Sequence, residues 1–70
     1  MLPLTLAKVG EKYKIRRIGG SDKVRHHLME LGFVVDAFIS VVSSIDGNLI
    51  VNVKETRVAI DGTLAAKIMV

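Results

Sequence analysis

The chain has 70 residues, half of them apolar, with ten basic against seven acidic side chains, a formal net charge of +3 and no cysteine. That length supports one domain, residues 1–70, around one core. Without cysteine, neither disulfides nor thiolate-bound zinc can brace it, which excludes the secreted disulfide-rich class and leaves apolar packing to hold the fold.

The N-terminal stretch Met1-Leu-Pro-Leu-Thr-Leu-Ala-Lys8 has no basic leader before its short apolar run and carries a proline at position 3. It is unlike a secretory signal, so a cytoplasmic location is expected. Leu4, Leu6 and Val9 are expected to cover one end of the core, with a turn beginning at Gly10-Glu11. A first strand follows from Tyr13 to Ile18. Its alternation, Tyr13 then Ile15, breaks at Arg16-Arg17, as an extra residue in a bulge would make it do. Gly19-Gly20 then lets the chain leave the sheet.

Ser21 to Gly32 reads as the single inserted helix, over about residues 21–31. Ser21 or Asp22 supplies the N-cap, and Gly32 the left-handed stop. Val24, Leu28 and Leu31 fall at i, i+4 and i+7 and form a stripe toward the core. Each is worth roughly 1.5–3 kcal/mol if fully buried, which is what holds a helix too short to stand alone. Beyond it, Ala37 to Ile45 is the longest uncharged run. It is under half the length a membrane-spanning helix needs, and it alternates like a strand.

Asp46-Gly47, set between two alternating segments, predicts a hairpin with a tight primed turn. A second hairpin is expected to turn at Glu55-Thr56, more widely or irregularly, because neither residue favours positive φ. Asp61 to Ala66 has room for one helical turn, and Lys67 to Val70 closes the chain. The sum is a mostly β fold, a small five-stranded SH3-like barrel with one inserted α-helix.

Asp22, His26 and Glu30 recur every four residues and share one side of the helix, away from Val24 and Leu28. They are weak candidates for a divalent metal, lacking a fourth ligand, and i,i+4 pairing on a solvated face accounts for them as well. No metal or other cofactor is expected. No enzyme is expected either: Ser43 and Ser44 lie in a strand, and nothing local connects them to His26, His27 and a carboxylate. Gly19-Gly20 has no phosphate-binding pattern behind it.

Met29 lies off the helix stripe, and Phe33, Val34 and Val35 cannot all point inward. An apolar patch is therefore expected at the helix end, rimmed by Arg25 and His26, as a docking surface for a partner protein. Arg25, His26, Met29, Phe33, Val34 and Val35 are the candidate partner-binding residues. Nucleic acid is not expected as a partner. The basic residues of the first third are interleaved with apolar positions, and Tyr13, Phe33 and Phe38 are the only rings, too few for a stacking platform.

The helix-to-turn motif Arg25-x-x-Leu28-x-x-Leu31-Gly32, with Leu6, Val9-Gly10, Ile15, Ile18, Val51, Val53, Ala59-Ile60 and the terminal Ala65-x-x-Ile68-x-Val70, resembles the ferrous iron transport protein A family, FeoA, over essentially the whole chain. The chain departs from that family's pattern at Asp36 and Glu55, where glycine is usual, and at Asp61, where a basic residue is usual. The resemblance implies an SH3-like barrel and a small cytoplasmic accessory protein of ferrous iron uptake. It implies as partner a FeoB-type membrane iron permease, through its cytoplasmic G domain or its membrane portion, and no activity of its own. A weak homo-oligomer is left open. The alternative is the related SH3-like domain that ends iron- and manganese-dependent repressors and serves metal sensing and domain contacts. Those proteins carry a DNA-binding helical domain before it, and none is expected here. Asp36 is expected to take a left-handed conformation, which Asp tolerates better than most residues.

Overall fold

The expected first strand is two strands, Lys12–Lys14 (β1) and Arg17–Ile18 (β2), in a computed structural model that describes all 70 residues. β1 pairs antiparallel with Phe38–Ile45 (β3), whereas β2 pairs antiparallel with Ile68–Met69 (β6). The break at Arg16 is therefore a crossing from one sheet to the other, and no bulge forms there. Ile15, fully buried, sits at the corner; its N–H donates to the Ala37 carbonyl at 2.9 Å while that of Arg16 donates to Met69 at 2.7 Å.

Asn48–Val53 (β4) and Thr56–Ile60 (β5) complete a four-stranded sheet in the order β1-β3-β4-β5, beside the two-stranded β2-β6 sheet. The split raises the strand count to six, where five were expected, and the ladder does not run on into a closed barrel. A bulge does occur, but in β3, where the register against β4 shifts between Val41 and Ser43.

The helix (α1) spans Asp22–Glu30, and the Ser21 hydroxyl accepts the Val24 N–H at 3.2 Å, which settles the cap on Ser21. The stripe is shorter than the spacing suggests. Leu28 is fully buried, Val24 is half-buried, and Leu31, at the C-cap, is 37% exposed. Gly32, at φ 104°, turns the chain there, and Phe33 takes the core position that Leu31 leaves, its N–H donating back to the Leu28 carbonyl at 3.0 Å. Asp36 takes the left-handed conformation expected of it, with φ 75°.

Both hairpins have two-residue turns with positive φ throughout. Asp46 (52°) and Gly47 (82°) form the expected one. The second is at Lys54 (49°) and Glu55 (64°), one residue earlier than expected and tight, with Val53 opposite Thr56. A turn at Glu55-Thr56 would place Lys54 opposite Arg57, a destabilising like-charge pair. The observed register instead sets Leu49 opposite Ile60, both buried.

Asp61 caps the last helical turn, Gly62–Ala65 (α2), by accepting the Leu64 N–H at 2.8 Å. Gly62 lies against the first hairpin tip so closely that a Cβ there would stand 2.7 Å from the Gly47 carbonyl oxygen. All 13 buried residues are apolar and form one cluster shared by both sheets and the helices. From the N-terminal stretch only Leu4, in a 3₁₀ turn over Leu4–Leu6, enters it; Leu6 and Val9 are exposed, contrary to expectation. Leu2 and Val70 exchange both backbone hydrogen bonds, each 2.8 Å, which ties the two ends of the chain together.

Candidate functional site

At the C-terminal end of α1 the chain must pass from the helix to β3 in seven residues, Leu31 to Ala37. Gly32 and Asp36 make the two left-handed corners of that passage. Between them Phe33 points wholly into the core, Val34 is half-buried, and Val35 is 54% exposed. The three consecutive apolar residues thus divide between inside and outside, as their run requires. Met29, one turn back on α1, is 50% exposed beside them.

These residues form a shallow hollow of about 230 Å³, lined by Ile18, Arg25, Met29, Phe33, Val34 and Val35. Five of the six candidate docking residues are therefore brought together. Phe33 contributes only as the floor, since it has no exposed surface. Its expected role as a contact residue is corrected to that of a support. His26 is not part of the lining and lies apart on the helix, its Nε2 3.1 Å from a Glu30 carboxylate oxygen. Ile18, on β2, was missed because its nearness to Met29 depends on the sheet crossing at Arg16.

Arg25 is held at the rim from two sides. One guanidinium nitrogen donates to the Gly20 carbonyl at 3.0 Å and the other pairs with the Asp22 carboxylate. Its charge is fixed next to an apolar surface, an arrangement that suits a partner bringing an apolar side chain and a carboxylate together. The same pairing disperses the metal candidates. Asp22 goes to Arg25 while His26 and Glu30 go to each other, and no three His, Cys, Asp or Glu side chains converge anywhere in the chain. No helix is long and apolar enough to cross a membrane.

The fold is that of a small SH3-like domain, mostly β with one short inserted helix and an apolar hollow at the end of that helix. The FeoA domain family model matches residues 2–70, and the chain belongs to that family, one of ferrous iron transport accessory proteins. A Methanocaldococcus jannaschii relative named as Fe(2+) transport protein A is 31% identical over 70 residues, which is the whole of this chain and 85% of the relative. A crystal structure of an iron uptake regulatory protein, FeoA, superposes with a TM-score of 0.88 at 32% identity, over 97% of this chain and 90% of that one. A zinc complex of Stenotrophomonas maltophilia FeoA, described as a prokaryotic SH3 domain protein, shares the fold at TM-score 0.83 and 21% identity, over 99% of this chain and 88% of that one. A manganese-dependent transcriptional repressor also shares the fold, at TM-score 0.86 and 17% identity, over 94% of this chain and 38% of the repressor.

Proposed function

We infer that this chain acts in the cytoplasm as a single-domain accessory protein that binds a FeoB-type iron permease and modulates its ferrous iron transport. The docking surface is the hollow at the end of α1. Carrying this reading is the half-exposed pair Met29 and Val35 around a rigid floor, Phe33, with the Arg25 charge fixed at the rim. A small domain that must bury every apolar group it can leaves such a pair uncovered at a cost, and a partner's apolar anchor would recover it.

The test is an NMR titration of the labelled protein with the cytoplasmic G domain of its cognate permease, with and without a GTP analogue. Shifts clustered on Arg25, Met29, Val34 and Val35 are expected. An unchanged spectrum would refute the G domain as partner. The repressor-like reading is favoured only by the shared fold. It predicts instead that manganese or iron moves the His26 and Glu30 signals, and metal titration of the same sample separates the two.

A further inference from the structure

On the outer face of the four-stranded sheet a large aromatic ring is left in solvent. Phe38 is 55% exposed, although the core of a chain with only three rings could have used it. Its register partner is Lys14, and Lys12 lies two residues back on the same face, so the ammonium groups sit 5.5 and 5.3 Å from the ring centroid. Two like charges are thereby gathered on one ring.

Neither ammonium is in a contact ion pair, since those present join Arg25 with Asp22 and His26 with Glu30. From Lys12 the register continues across the sheet through Ser40 and Asn52 to Arg57, whose Nε donates to the Asn52 amide oxygen at 3.4 Å. The row therefore has a cation at each end, hydrogen-bonding side chains between, and the exposed ring beside it. Three strand spacings separate its ends, roughly 14 Å. A recess of about 440 Å³ opens beside Phe38, lined by Lys12, Ser40 and Asn52 of this row together with Lys54, Asp36 and Glu55; Lys14 and Arg57 stand outside its lining.

We propose that this face binds an extended acidic segment of another protein, one carboxylate at the Lys12–Lys14 end, a second at Arg57, and an apolar residue between them on Phe38. An extended chain rises about 3.3 Å per residue, so carboxylates four positions apart match the row. Two features favour a segment with discrete carboxylates over a continuous polyanion. Asp36 and Glu55 also line the recess, so positive charge is confined to separate points and forms no continuous track for a phosphate backbone or an anionic bilayer. A single exposed ring offers only one stacking position, where strand-binding proteins use several. This surface is separate from the hollow at α1 and stands or falls independently of it.

The experiment titrates the labelled 70-residue chain with the capped peptide Glu-Gly-Leu-Gly-Glu, and with Gln-Gly-Leu-Gly-Gln as its neutral counterpart. Saturable shifts on Lys12, Lys14, Phe38, Ser40, Asn52 and Arg57 from the first peptide alone are expected. The double variant Lys12→Gln/Lys14→Gln, whose side chains are exposed and whose folding the same spectra report, should weaken binding about tenfold, as the loss of two exposed ion pairs does. Phe38→Ser should weaken it while leaving the salt dependence in place. Equal response to both peptides, no response, or shifts elsewhere would overturn the proposal. So would tighter binding of oligothymidylate or of phosphatidylglycerol vesicles, which would assign the face to a polyanion.

Discussion

Glu55→Gly should make the protein more stable, even though it removes a side chain and adds none. Glu55 is held at φ 64° in the second hairpin turn, a conformation that L-residues resist. The left-handed region costs such a residue about 1–2 kcal/mol, and glycine avoids this. Glycine in turn gives the unfolded chain more freedom, worth about 0.4–1 kcal/mol. The balance is a gain of about 0.5–1 kcal/mol, which for a domain of this size raises the melting temperature by roughly 2–8 °C. Gly47→Ala in the first hairpin is the mirror experiment. Gly47 has φ 82° and nothing within 4 Å of where a Cβ would stand, so the change isolates the backbone term and should cost about what the other gains. Thermal melts and urea titrations read both, with unchanged urea slopes showing that only stability has moved. If Glu55→Gly melts no higher than the parent while Gly47→Ala melts lower, strain at Glu55 is not what the backbone angles imply.

Phe33→Ala should leave the chain unfolded, since the loss of a buried ring costs about 3–5 kcal/mol and a core of this size supplies about as much in total. Met29→Ser, at a half-exposed site, should stay folded within about 0.5 kcal/mol, so circular dichroism separates the floor of the hollow from its rim. Ser21→Ala removes the α1 cap and should cost about 1 kcal/mol in chemical denaturation. Asp36→Gly should not lower the melting temperature, because it only relaxes a residue already at φ 75°.

Where local chemistry decided the outcome, the sequence was legible. Ser21 and Gly32 bracket α1, Asp46-Gly47 marks its turn, and Asp61 starts α2, each through a side chain or a backbone freedom readable at one position. What escaped depended on partners distant in the chain. Lys54-Glu55 carries no turn signal, and its place follows from keeping Lys54 away from Arg57 and pairing Leu49 with Ile60. The crossing at Arg16 looked like a bulge because β2 finds its partner β6 only at the far end of the chain. Leu31 fits the helical period but falls at the C-cap, where the turn redirects the core position to Phe33. Most of the hollow could be read from consecutive residues around Gly32. The charged row beside Phe38 could not, since Lys14 meets Phe38 and Arg57 meets Asn52 only through strand pairing.

The backbone pair between Leu2 and Val70 makes the two chain ends leave the molecule side by side. A polypeptide with adjacent ends can be spliced into a loop of a host protein, or strung in tandem, with both junctions at one point and little distortion of either part. Joining these ends through a short bridge and reopening the chain at the exposed Asp46-Gly47 turn would give a circular permutant with the same sheets in a new order. The geometry that closes this small domain also makes it portable.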